Sequence, residues 1–85
     1  MKIIRINAMW CPGCLISKRI WKEIEKEYPN YEYIDYDYDL DSDIVEKYNI
    51  GDIVPCVIVL DGNSEIKRIV GEKSKKEILK ELEEI

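Results

Sequence analysis

The chain has 85 residues, 46% hydrophobic and 36% charged, which suits one small domain spanning 1–85 with a modest core. Its net charge of -5 argues against nucleic acid as a partner, because phosphate binding needs a basic surface. No segment has the apolar length of a membrane span, and Lys2 and Arg5 interrupt the opening residues too early for a signal peptide, so no membrane contact and a cytoplasmic location are expected.

Lys2 to Asn7 is rich in Ile and predicts a buried strand. It leads into Trp10-Cys11-Pro12-Gly13-Cys14, two thiols separated by two residues at the start of an amphipathic run. With Cys11 just before the first helical turn and Cys14 inside it, the outer sulfur is expected to face solvent and attack, while the inner one lies within bonding reach and resolves. Unpaired backbone N–H groups and the positive end of the helix dipole favour a thiolate at Cys11. Pro12 suits a helix start, where its missing N–H would have been unsatisfied anyway, and Gly13 removes bulk beside the pair.

From Leu15 the apolar residues Ile16, Ile20, Ile24 and Tyr28 recur every four positions, flanked by Trp21, until Pro29-Asn30 ends the helix. Lys18, Arg19 and Lys22 read as its solvated face rather than as a dock for an acidic partner. Tyr31 to Tyr38 alternates tyrosine with acidic residues and predicts an edge strand. The acidic run from Asp35 to Asp43 lacks the glycine and terminal glutamate of a calcium loop and reads as a charged edge, with its tyrosines packing.

Asp41-Ser42-Asp43 offers caps for a short helix that buries Ile44, Val45 and Tyr48. Val54 to Leu60 predicts a central strand, Asp61-Gly62-Asn63 a hairpin turn, and Glu65 to Val70 its antiparallel partner. Ser74 and Glu77 form a capping box before Ile78, Leu79, Leu82 and Ile85 of a last amphipathic helix. The order is βαβαββα.

This order, with Trp10-Cys-Pro-Gly-Cys14 and the Val54-Pro55 approach to the third strand, resembles the thioredoxin-like family over nearly the whole chain. The resemblance implies an α/β minimal thioredoxin fold, a four-stranded mixed sheet with helices on both faces. It also implies thiol-disulfide oxidoreduction by Cys11 and Cys14, a cis-proline at Pro55 facing the cysteines, and a substrate groove formed by Trp10, Val54 and Pro55. Partners would be protein or small-molecule disulfides and an external reductant, either a thioredoxin-reductase-like enzyme or the glutathione system. The protein is expected to be a monomer without cofactor or resident metal. Its size is glutaredoxin-like, but the Gly-Gly-Asp glutathione signature is missing.

Arg5 stands where thioredoxins carry a buried Asp, and Asp35 aligns within a residue of that Asp's lysine partner. The two predict either a charge-swapped pair near the sulfurs or an Arg5 that snorkels to solvent. Without histidine in the chain, Cys-His mechanisms are excluded. An odd count of three cysteines argues against a disulfide-stapled scaffold and for a reducing compartment. The family geometry places Cys56 near Cys11. Cys56 reads first as a small packing residue; the alternative is a metal or iron-sulfur site built from Cys11, Cys14 and Cys56, which would lack a fourth ligand.

Overall fold

Strand β1 (Lys2–Asn7) occupies the middle of the molecule, and its run of isoleucines suits burial on both faces. The computed structural model describes residues 1–85. After β1 come α1 (Pro12–Glu27), β2 (Glu32–Asp37), α2 (Ser42–Lys47), β3 (Cys56–Asp61), β4 (Ser64–Val70) and α3 (Lys75–Glu83), in the expected βαβαββα order. The sheet order is β2-β1-β3-β4; β1 and β2 run parallel, and β3 is antiparallel to both β1 and β4.

Alternation along the strands divides the core in two. Ile3, Val57, Val59 and Ile69 pack against Trp21 and Ile24 of α1 and Ile78 and Leu82 of α3. Ile4, Ile6, Cys56, Ile58 and Leu60 point to the other face, where Ile44 and Val45 of α2 cover them with Tyr36 and Tyr48. Helices thus lie on both faces of a mixed four-stranded sheet. Burying each large aliphatic side chain contributes about 1.5–3 kcal/mol, so this two-sided core dominates the stability of so short a chain.

The buried face of α1 differs from the one its apolar spacing predicts. Cys14, Ser17, Trp21 and Ile24 are buried, whereas Leu15 and Ile16 are 64% and 50% exposed. A strict four-residue repeat drifts about 40° per step around a helix, while alternating steps of three and four stay on one side. The sheet selects the second pattern. At the other end, Ile85 is also largely exposed, and α3 anchors through Ile78 and Leu82.

Local signals set most boundaries. The Ser74 side chain accepts the Glu77 N–H at 3.2 Å and the Glu77 carboxylate accepts the Ser74 N–H at 3.3 Å, completing the capping box. Gly62 turns the β3–β4 hairpin with φ +65°, in the left-handed region that glycine adopts freely. Asp41 is the N-cap of α2 but its carboxylate accepts the Asp37 N–H at 2.8 Å instead of capping, which folds the loop after the edge strand β2. β3 begins at Cys56 rather than Val54, because Pro55 has no N–H to offer a ladder.

Candidate active site

The end of β1, the start of α1 and the lead into β3 meet at Cys11. Cys11 is the N-cap of α1, with extended backbone, and its Sγ accepts the Cys14 N–H at 3.2 Å. A sulfur therefore fills the place where Ser or Asp usually satisfies an orphan helix donor. The same sulfur donates to the Val54 carbonyl at 3.5 Å, and the Val54–Pro55 peptide is cis. Ala8, Cys11 and Cys14 form a small buried cluster flanked by Tyr38 and Val54.

Cys11 is only 6% exposed, less open than the expected solvent-facing sulfur, since Val54 and Tyr38 close around it. Cys14 is 1% exposed. Burial pushes its thiol up to about 11, and the hydrogen bond with Cys11 pushes the same way; the Ala8 backbone and Lys18 act in the opposite direction. The arrangement pairs a thiol at a helix N-terminus with a more deeply buried thiol one turn further on.

Trp10, 59% exposed, is held by two contacts that the sequence does not announce. Its indole N–H donates to Asp39 Oδ2 at 2.8 Å, and its ring meets Tyr38 edge-on at 6.1 Å. Tyr38 in turn donates its hydroxyl to the Gly51 carbonyl at 3.1 Å, joining the loop after β2 to the approach to Pro55. Val54 is half-buried and Pro55 buried. Exposed Ile53 and Val70 add to the apolar surface on this side, and the Gly71 N–H donates to the Pro55 carbonyl at 2.8 Å. The Glu72 side chain lies over Gly13, its Oε2 being 2.9 Å from the position a Cβ there would take. No motif signals Glu72, which follows from the β4 exit alone.

Cys56 is not part of this cluster. Its side chain belongs to the α2 face of the sheet with Ile4, Ile6, Ile50, Ile58 and Leu60, whereas Cys11 and Cys14 pack with Ala8. Its thiol is pushed up by burial. Strand alternation sets Cys56 among the residues that α2 covers. The three sulfurs do not assemble into a metal-binding group, so the metal or iron-sulfur alternative loses its geometric basis.

Arg5 resolves the choice posed by the sequence in favour of the swapped pair. Its Nε and Nη2 donate to the two Asp35 oxygens at 2.7 and 2.8 Å, and its Nη1 donates to Glu25 at 3.1 Å. The guanidinium lies over the Tyr33 ring at 5.1 Å. Burial opposes its charge, but the hydrogen bonds to Asp35 and Glu25 outweigh that and hold it protonated. Arg5 is engaged with carboxylates rather than with the sulfurs.

The family model for thioredoxin matches residues 1–84. A thioredoxin of Mycoplasmoides gallisepticum is 28% identical over 80 residues, covering 92% of this chain and 80% of that protein. Thioredoxin H5 of Oryza sativa subsp. japonica is 26% identical over 69 residues, covering 81% of this chain but 50% of its own length. This chain thus spans about half the length of the two rice thioredoxins it matches, 50% and 56%. Among solved structures, oxidised thioredoxin from Plasmodium falciparum superposes with a TM-score of 0.87 at 25% identity, covering 98% of this chain and 78% of that one. A thioredoxin from Nicotiana alata gives 0.89 at 23% identity, covering 98% and 70%, a likeness of fold.

Proposed function

This chain belongs to the thioredoxin family, and from that premise we propose that it is a thiol-disulfide oxidoreductase working through Cys11 and Cys14. The observation that carries the reading is the Cys11 sulfur itself, which caps α1 by accepting the Cys14 N–H and lies against the carbonyl before cis-Pro55. A thiolate at Cys11 attacks a substrate disulfide and forms a mixed disulfide, expelling one substrate thiolate. Cys14 then attacks Cys11 Sγ, releasing the second substrate thiol and leaving a Cys11–Cys14 bond. An external reductant returns the pair to the dithiol.

Trp10, Val54 and Pro55 form the surface on which the substrate backbone lies in this reading. The exposed apolar rim of Trp10, Ile53 and Val70 supports protein or small-molecule disulfides as substrates. A Mycobacterium leprae relative, 29% identical over 79 residues, is named bifunctional thioredoxin reductase/thioredoxin, which supports a reductase as electron donor over the glutathione system. The protein acts as a monomer in the cytoplasm.

The test is turnover of a model protein disulfide. Cys11→Ser abolishes reduction, and Cys14→Ser accumulates a mixed disulfide visible by mass spectrometry. Full activity in Cys11→Ser would falsify the assignment.

A further inference from the structure

Backbone contacts bring Glu72 to the cysteine turn. The Gly71 N–H donates to the Pro55 carbonyl at 2.8 Å, and a Cβ at Gly71 would touch Ile53 at 3.7 Å, so the chain leaving β4 passes beside the approach to Pro55. From there Glu72 reaches over the first turn of α1, its Oε2 2.9 Å from the position of a Gly13 Cβ. Gly13 lies between the two cysteines, and the Cys11 sulfur accepts the Cys14 N–H at 3.2 Å. These contacts and standard bond lengths hold the Cys11 sulfur and Glu72 Oε2 within about 10 Å of each other.

The Glu72 carboxylate is exposed and unengaged. It joins no ion pair and accepts no hydrogen bond. The adjacent Lys73 borders a separate cleft of about 250 Å³ with Arg68, Glu77 and Glu81, and Lys18 borders one with Asp35, Asp37 and Asp41. Capping of α1 does not account for Glu72 either, because the Cys11 sulfur already serves as the N-cap acceptor and Pro12 has no N–H. The other carboxylates around the motif have internal partners: Asp35 and Glu25 hold Arg5, Asp39 holds the Trp10 indole, and Asp37 and Asp41 accept backbone N–H groups of their own loop. Asp52, exposed and without an ion pair, precedes Ile53 on the same approach and makes the potential there more negative.

The sheet order β2-β1-β3-β4 sets two unlike flanks about Cys11. Trp10 leans on Tyr38 and Asp39 beyond one edge strand, and Glu72 follows the other. A polypeptide lying on Trp10, Val54 and Pro55 thus meets an aromatic ring on one flank and a free negative charge on the other. Such a charge at the rim discriminates between incoming chains by their sign.

We propose that Glu72 is a specificity-determining residue, selecting polypeptide disulfides that carry Lys or Arg two residues from the reacting cysteine. The inference rests on the oxidoreductase reading above. In an extended chain, side chains two residues apart face the same way at a spacing of about 6–7 Å. With the substrate cysteine turned toward Cys11, a long cationic side chain at that spacing spans the remaining distance to the Glu72 carboxylate. An Asp or Glu in the same place meets a like charge.

Three peptides test this, each bearing one cysteine as its mixed disulfide with 4-thiopyridine and carrying Lys, Gln or Glu two residues to either side. The Cys11 thiolate bonds to the peptide sulfur, and the bond from that sulfur to thiopyridine breaks. The leaving thiolate takes up a proton as pyridinethione, whose absorbance gives the second-order rate constant. The measured quantity is the ratio of the Lys-peptide rate to the Glu-peptide rate, from which any general change in Cys11 reactivity cancels. Glu72→Gln lowers this ratio about twofold to tenfold at low salt, and Glu72→Lys lowers it further. Salt at 0.5 M shrinks the parental preference. Glu83→Gln removes the same charge from the C-terminal end of α3 and leaves the ratio close to the parental one. A ratio unchanged in Glu72→Gln, or lowered as much by Glu83→Gln, overturns the inference and leaves the oxidoreductase reading intact. Failure of the parent protein to release pyridinethione from any of the three peptides overturns that reading itself.

Discussion

Arg5 and Asp35 face each other across the β1–β2 register and join through two hydrogen bonds of 2.7 and 2.8 Å. This fork-to-fork pairing lets a guanidinium side chain only 11% exposed remain in the interior beside Trp21 and Tyr33. It also explains why neither residue acts on the sulfurs: each satisfies the other.

The pair predicts an asymmetry in stability. Asp35→Ala leaves Arg5 with Glu25 alone and a mostly buried, under-bonded guanidinium, at a cost of about 1–3 kcal/mol. Arg5→Met leaves carboxylates that are 59% and 36% exposed and can rehydrate, and it fills the space against Trp21 and Tyr33, so its cost is below about 1 kcal/mol. Urea unfolding of the two variants checks the order. Equal losses would mean that packing, not charge compensation, governs the site.

Alkali weakens the reduced protein more than the oxidised one. The Cys14 thiol is pushed up to about 11 from an ordinary 9.0, so between these values the unfolded chain has lost a proton that the native state keeps. Stability then falls as pH rises, by on the order of 2 kcal/mol across the window from this group. A Cys11–Cys14 disulfide has no such proton, so the oxidised form shows a shallower slope. Denaturant midpoints of both forms at pH 8, 9, 10 and 11 test this, and parallel slopes would remove Cys14 as the cause.

The elements were legible in the sequence because each carries a local cause: an Ile-rich run, a Cys-Pro helix start, an Asp-Gly turn, a Ser–Glu capping box. What escaped was parity and reach. Val54 to Leu60 is apolar almost throughout, so nothing in the run says which residues face which layer, and the placement of Cys56 depends on β3 starting at Cys56 itself. The α1 stripe failed similarly, since Leu15 and Ile16 add apolar positions that the sheet never touches. Contacts such as Trp10–Asp39 and Glu72 over Gly13 join segments about thirty and sixty residues apart, and only the closed fold brings them together.

Two glycines near the site differ in their tolerance of a methyl group. At Gly13 the new Cβ is crowded only by the carboxylate end of the Glu72 side chain, which can swing away, its contact with the Glu72 Cβ being an ordinary 3.6 Å, and alanine suits a helix better, so Gly13→Ala changes stability by less than about 1 kcal/mol. Gly71 has φ +86° and donates to the Pro55 carbonyl, so Gly71→Ala strains the backbone whatever the free space. It costs about 1–2 kcal/mol and slows disulfide exchange by loosening the Pro55 segment. Thermal unfolding and turnover of both variants decide the point; a larger loss at Gly13 would contradict it.

Trp10 offers the sharpest separation of binding from folding. Its ring is 59% exposed, so Trp10→Ala changes stability by less than about 1 kcal/mol. If the ring forms part of the substrate groove, its loss weakens docking without touching the Cys11 cap, which comes from the Cys14 N–H. KM for a protein disulfide should then rise severalfold with kcat nearly unchanged, the pattern of lost uniform binding. Asp39→Ala should produce a weaker version, because it frees the indole that Asp39 Oδ2 holds at 2.8 Å. A small disulfide with no polypeptide to lay in the groove should be reduced at close to the parental rate by both variants. If instead both substrates slow equally, Trp10 acts on Cys11 reactivity and the groove must lie elsewhere on the rim.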